Sequence, residues 1–384
     1  MQRALRATSA AFLLLVSLAG YLPAQTASTI PSPPTGPFGS GGVQYAAPAG
    51  PAAPGDAHTL MESRRDCAGD ACCDTWRWDC GASVFLLRPY FQTNPAYTSI
   101  SGTANQGNVP DFSWPISASP AVWLGVTAPG GVGFRARYFR FDQESDVTRP
   151  DDSANFIYPS VDTSYYFGNG NGFNAPGVLS SNTIGQDNIT VASTLEIDVF
   201  DAEATYQFHP GDWTLLASLG LRYLHMHQDY SITLSNQATV GNSPVSEFQQ
   251  ETYGHNFFGL GPTVALDAKC PLGCNGLFLY GNVRGSLLVG TQHEYLAWAQ
   301  QVNDPGNVAG GSFSANAAIP FSHNQVFPVA EAEIGLEYMI KSGSLMSIFR
   351  AGLVTLNYFD AGNASYDDGN LNLFGVQFTA AFCF

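Results

Sequence analysis

The sequence predicts an all-β chain, an antiparallel up-and-down transmembrane β-barrel of about ten strands, with twelve as the other possible count. Three observations lead there. From Ala82 to Phe384, stretch after stretch alternates apolar residues with small or polar ones at a period of two. The links between these stretches are alternately short and long, the pattern of a membrane barrel with tight turns on one side and long loops on the other. After the N-terminal region no run reaches the roughly 18 apolar residues a spanning helix needs, so a membrane form of this chain must cross as strands.

At the N-terminus, Arg3 and Arg6 precede an apolar run from Ala10 to Leu18 and a small-residue end at Pro23 and Ala24. This reads as a cleaved secretory signal over residues 1–24. No Cys stands at the expected cleavage position, which argues against a lipoprotein anchor. Residues 25–60 are rich in Pro, Gly and Ala and read as a disordered linker. A Cys-rich periplasmic segment occupies 61–80, and the barrel 81–384.

The expected strands are 82–92, 118–127, 132–143, 192–208, 213–229, 252–267, 276–291, 324–340, 344–359 and 370–384. The last is the clearest: Phe374, Val376, Phe378, Ala380, Phe382 and Phe384 share one face, and Gly375, Gln377, Thr379, Ala381 and Cys383 the other. A further hairpin within 144–191 would raise the count to twelve. Two strands break the pattern. Pro262 cannot donate to the ladder, and a bulge is expected there. In 192–208 the apolar parity switches between Val199 and Phe200, which one more bulge would explain.

Composition excludes some partners. Charged residues make up 12% of the chain, about half the usual share, while Gly (40 residues) and aromatics (13%) are plentiful. The formal charge is −16 and the only lysines are Lys269 and Lys341, so nucleic-acid binding is not expected. Of the seven cysteines, Cys270 and Cys274 flank a short turn and are expected to pair in an oxidising compartment. Cys67, Cys72, Cys73 and Cys80 are expected to form two bridges of undetermined connectivity. Their spacing fits no zinc template, and neither metal nor cofactor is expected.

Lipid would tax charged residues by a few kcal/mol each near the midplane, so the charged parity must face inward. It comprises Arg135, Arg137, Asp201, Glu203, Arg222, Arg284, Glu331, Glu333, Glu337 and Arg350, with Arg88 a further candidate. These residues would line a narrow pore for small solutes or ions. Alternatively they pair with one another and fill the bore, since about eight strands leave an interior just filled by side chains and open channels need roughly sixteen. His225, His227 and Asp229 share one face of a strand end and read as polar residues leaving the membrane above Tyr223. The chain has no G-x-S-x-G motif and no set of nucleophile and base that the sequence brings together, so an enzyme is not expected. The leading function is therefore a narrow porin. A non-conducting structural or adhesive barrel is the first alternative, and an enzyme with its site at the rim the second.

The ordered segments Gly133 to Tyr138, Val199 to Glu203, Gly220 to Tyr223, Phe258 to Pro262, Arg284 to Leu288, and Pro328 to Glu331 with Gly335-Leu336 are similar to the Legionella-type major outer-membrane protein family. The resemblance runs from about residue 82 to 384 and implies an outer-membrane barrel of porin type, with no catalytic residues to carry over. The ending with Phe378, Phe382 and Phe384 resembles the closing strand of bacterial outer-membrane barrels, which implies recognition by the barrel-assembly machinery. Outer-membrane lipid and small solutes or ions complete the implied partners, and the oligomeric state is left open.

Overall fold

The computed structural model describes residues 76–101, 107–150, 155–159, 187–240, 243–273, 275–303, 313–343, 345–364 and 369–384. All belong to the unit that begins at Asp56. The expected signal, the linker, the cysteines Cys67, Cys72 and Cys73, and Cys274 lie outside the described residues.

The strands in chain order are β1 (Arg77–Phe91), β2 (Tyr97–Ser101), β3 (Gly107–Asn108), β4 (Ser117–Thr127), β5 (Val132–Pro150), β6 (Asn155–Pro159), β7 (Asp187–Phe208), β8 (Thr214–Val240), β9 (Ser243–Pro271), β10 (Leu277–Asn303), β11 (Phe313–Ser342), β12 (Leu345–Tyr358) and β13 (Leu371–Cys383). Ten of them close a barrel in the order β1-β13-β12-β11-β10-β9-β8-β7-β5-β4, every pair antiparallel. The extra strand between β5 and β7 does not enter the barrel. β6 pairs instead with β2, which also pairs with β3, in a separate three-stranded sheet. Closure joins the first and last strands: β1 meets β13 from Asp79↔Cys383 to Phe91↔Leu371, and Trp78 and Phe384 exchange backbone hydrogen bonds of 2.9 and 3.0 Å. No sheet edge is left within the barrel.

The outward parity forms a lipid-facing belt. Leu219, Leu221, Leu260, Val264, Val289, Leu336, Leu353 and Phe378 are all exposed on it. Aromatic residues rim both borders, with Tyr90, Tyr138, Tyr223 and Phe258 at one and Trp78, Tyr206, Tyr338 and Phe382 at the other. The second border carries the short turns and both ends of the barrel, which makes it the periplasmic one. Beyond the first border β8 runs on from Tyr223 to Val240, and β9 starts at Ser243 and reaches the belt only at Phe258. At about 3.3 Å per residue this stretch is roughly 50 Å long measured along the tilted strands.

Several expectations need correction. The ladder through Val199 and Phe200 is continuous, from Arg137↔Asp201 to Phe141↔Ile197, with no bulge. Leu195, Ile197 and Val199 are buried and share the inward face with Asp201 and Glu203, while Phe200 and Tyr206 face lipid. The apolar parity switches because the bore itself changes from charged to apolar. Nor does Pro262 mark a bulge. The β9–β10 register is the same on both sides of it, Ser286↔Thr263 and Val289↔Leu260, and only the ladder between them is interrupted. Cys80 lies on β1, in register with Phe382 and Leu124, and not in a periplasmic segment. Among the described residues it has no disulfide partner, and neither has Cys270, whose expected partner falls outside them. Arg88 has outward parity, between the exposed Leu86 and Tyr90, and its guanidinium lies 5.5 Å from the Tyr90 ring centroid. A long cationic side chain at that border can reach the lipid headgroups.

Candidate functional site: the bore

The bore is occupied at two levels. The lower is a charged layer built by the inward parity of β5, β7, β8, β10 and β11. Asp201 accepts two hydrogen bonds from Arg222, at 2.7 and 3.0 Å, and one from Arg137 at 3.0 Å. Arg137 also donates to Glu331 at 2.9 Å, and Arg222 Nη1 lies 2.5 Å from the same carboxylate. Arg284 pairs with Glu203, and Arg135 donates to Glu203 at 2.9 Å and to Asp267 at 3.3 Å. Asp201, Glu203 and Arg222 are each 1% exposed.

One of these contacts decides the shape of the bore. β5 and β11 stand five places apart in the ring in either direction. The Arg137–Glu331 pair therefore spans the barrel between opposite walls. The groups of the charged layer are in mutual contact across the side of the bore formed by β5, β7, β8, β10 and β11.

The upper level is apolar. The link between β1 and β4 turns into the bore and buries Ala96, Tyr97, Phe112 and Trp114 against Leu87, Phe141, Ile197, Leu224, Tyr230 and Leu356. Wall groups hold its backbone: Tyr230 donates to the Ala96 carbonyl at 2.8 Å, Gln143 to Pro115 at 2.7 Å and Ser145 to Ser113 at 3.1 Å. The turn after β12 packs beside it, where Gln228 donates to the Ala361 carbonyl at 3.0 Å and Asn363 to Thr93 at 2.5 Å. Each of these bonds satisfies a polar group that would otherwise be costly in a dry interior. This plug is the feature missed in the sequence, although Phe112 and Trp114 within a polar link were its signal.

Of the expected lining residues, Arg135, Arg137, Asp201, Glu203, Arg222, Arg284 and Glu331 meet in the charged layer. Glu333, Glu337 and Arg350 stand nearer the periplasmic end. Glu337 accepts from Arg350 at 2.7 Å and from Lys269 at 3.2 Å, and Glu333 accepts from the Tyr280 hydroxyl at 2.5 Å. A cavity of about 210 Å³ runs beside the charged layer, from the periplasmic strand ends up to Phe85, Phe139 and Leu356. Its wall includes Arg77, Asp79, Arg135, Asp267, Lys269, Arg350, Gln377 and Cys383.

Above the membrane the inner wall carries a second polar group. Glu294 is bonded by Tyr253 at 3.1 Å and Gln292 at 3.2 Å, and His323 lies 3.2 Å from it. Burial, helped by the nearby His323, pushes the His255 pKa down to about 4. Glu251 is 2% exposed, and neither carboxylate oxygen has a hydrogen-bond partner among the described residues. Burial pushes its pKa up to about 8. His225, His227 and Asp229 lie on the outer wall just above Tyr223. His225 bonds Asn256 at 2.8 Å and stacks on Phe258, and Asp229 is bonded by His227 at 3.0 Å and by Tyr295 at 2.6 Å. The hydrogen bond that His227 donates to Asp229 raises the His227 pKa. Among the described residues no group of three potential metal ligands converges.

Similar solved structures include the outer membrane protease OmpT from Escherichia coli, at 10% identity and a TM-score of 0.36, covering 80% of this chain and 96% of that one. They also include a mutant of the TodX monoaromatic hydrocarbon channel (8%, 0.23, 81% and 90%) and a Pseudomonas aeruginosa FadL homologue (7%, 0.23, 81% and 90%). No curated protein matches. The family model described as the Legionella pneumophila major outer membrane protein precursor matches residues 70–382. The chain belongs to that family, and it is a β-barrel of the bacterial outer membrane.

Proposed function

We propose that the protein is a closed outer-membrane barrel, non-conducting at rest, that works as a rigid structural scaffold holding the tall wall of β8–β11 outside the cell. The observation that carries this reading is the Arg137–Glu331 pair between opposite walls of the ring, beneath a second, apolar stopper. Opening the bore would mean breaking buried ion pairs, at about 3–5 kcal/mol for each partner left unpaired, as well as expelling Phe112 and Trp114. Single-channel recording in planar bilayers tests it, with the Glu331→Gln/Glu333→Gln variant beside the wild type. Refolded wild-type protein, heat-resistant on gels, is expected to add no current steps. Discrete steps whose ion selectivity shifts in the variant would sink the closed reading.

The same result would establish the second reading, a narrow porin for small solutes or ions. What favours it is the cavity that brings solvent-sized space from the periplasmic end alongside the charged layer to Phe85, Phe139 and Leu356. On that reading the layer acts as a gate and its carboxylates set the selectivity.

A further inference from the structure

We propose that the cavity beside the charged layer is a binding site, entered from the periplasm, for one small neutral polyol of monosaccharide size. Gln377, Glu333 and Asp79 accept hydrogen bonds from its hydroxyl groups. The cavity reaches the periplasmic strand ends whether or not the bore conducts.

Gln377 is the strongest pointer. It lines the cavity and is 6% exposed. Its Nε2 donates to Ser83 at 3.2 Å and to Thr379 at 2.8 Å, and its Oε1 is buried with no hydrogen-bond partner among the described residues. The reversed amide would be worse satisfied. Ser83 and Thr379 share a bond of 2.6 Å that uses one of their two hydroxyl protons, so a reversed amide could accept only the other. A buried carbonyl oxygen without a donor is costly, and a ligand hydroxyl removes that cost.

Glycines shape the wall around it. Tyr280, Gly335, Gly352 and Gln377 lie in one row across β10, β11, β12 and β13. With no side chain at Gly352, the Tyr280 hydroxyl extends over it toward Gln377; a Cβ there would meet the hydroxyl at 2.5 Å. Tyr280 donates to one oxygen of Glu333 at 2.5 Å and leaves the other without a partner on the cavity wall. Asp79 uses the same device. Its carboxylate lies over Gly125, where a Cβ would come within 2.7 Å of both oxygens. That carboxylate makes no hydrogen bond or ion pair among the described residues.

Three such acceptors call for a ligand rich in donors, and the charge balance disfavours an ion. Arg135, Arg137 and Arg284 are paired within the charged layer. Lys269 and Arg350 together carry one charge more than Glu337, and Glu333 offsets it. Arg77 stands two residues from Asp79 on the same face of β1, with the opposite sign. A cation drawn to Asp79 meets Arg77, and an anion drawn to Arg77 meets Asp79. Hydroxyl groups donate to carboxylates and amide carbonyls without adding charge. Between the polar groups the wall carries Phe85, Trp123 and Phe139, apolar surface for the C–H faces of a sugar ring. At about 210 Å³ the cavity has room for one small molecule, whereas sites for drug-sized ligands run to about 300–1,000 Å³.

The test is isothermal titration calorimetry on the refolded full chain in lauryldimethylamine oxide, a detergent without a sugar headgroup. D-Glucose, D-galactose, D-ribose and myo-inositol are the probes, with ethylammonium and acetate as charged comparators. At least one polyol is expected to bind saturably at one site per chain, and at least tenfold more weakly to Gln377→Leu. Glu251→Gln, outside the cavity, is expected to match the wild type. Gln377→Leu keeps the Ser83–Thr379 bond and should migrate on gels as the folded wild type does. If it does not refold, Asp79→Ala near the end of β1 takes its place with the same expected loss. Saturable binding of none of the four polyols would mean that the cavity holds water only, and would overturn the site. Tighter binding of either ion, or wild-type polyol affinity in the cavity variant, would overturn it as well. Binding is read without a bilayer, so its failure is distinct from any current through the barrel.

Discussion

Asp201 shows how completely the charged layer depends on single side chains. At 1% exposure it takes hydrogen bonds from both Arg137 and Arg222, and Arg284 lies 3.6 Å away. Removing one partner of such a cluster leaves buried guanidinium groups without their counter-charge. Asp201→Ala should therefore destabilise the barrel by about 3–5 kcal/mol, measured as urea unfolding in lipid vesicles. Replacing Asp201 and Arg222 together by Leu and Met should cost much less, because no lone charge remains on that pair. Similar losses for the single and the double variant would contradict this account. Glu251 gives a prediction of opposite character. Its pKa rises from 4.5 to about 8 on folding, through burial. Between those values the folded state holds a proton that the unfolded chain has released, so stability declines as pH rises through that window and the contribution is gone above it. Glu251→Gln should flatten this part of the pH–stability curve and stabilise the protein at pH 9. A variant with the wild-type pH slope would show that Glu251 does not carry it.

The elements were legible from the period-two pattern because the belt faces lipid, where a misplaced charge is expensive. Phe134 with Arg135, Leu221 with Arg222, and Leu336 with Glu337 sort cleanly by parity. The contents of the bore were less legible. Parity says which residues share a face and not what that face meets. In β7 the inward face carries Leu195, Ile197 and Val199 above Asp201 and Glu203, a sequence that reads as a bulge if the bore is taken to be polar throughout. The plug was hidden for a related reason: its contacts join Phe112 to Tyr230 and Phe91 to Trp114, over separations that no local period records. The Phe112→Ala/Trp114→Ala variant should keep the ten-strand barrel, whose ladder it does not touch, while releasing the β1–β4 link. Proteolysis within residues 92–116 should accelerate at least tenfold with the circular dichroism of the strands unchanged. A link that stays protected would mean that the wall hydrogen bonds to Ala96, Ser113 and Pro115 suffice without the aromatic contacts.

At the scale of the whole molecule, Phe384 allows stability and assembly to be tested separately. The barrel closes through the β1–β13 ladder, and Phe384 contributes backbone bonds to Trp78 that any residue could make. Its ring is 61% exposed at the periplasmic border, beyond the buried wall formed by Ala381 and Cys383. Truncating an exposed side chain changes stability by about 0.5 kcal/mol or less. A requirement for that ring must then come from a step before the barrel is closed, when β13 is still an unpaired strand exposing Phe378, Phe382 and Phe384 on one face. Phe384→Ser should accordingly refold in detergent with wild-type urea stability, yet reach the outer membrane of cells at a fraction of the wild-type level, scored as the heat-modifiable band on gels. Loss of both would assign Phe384 to the finished barrel. Loss of neither would remove the terminal aromatic from the assembly signal.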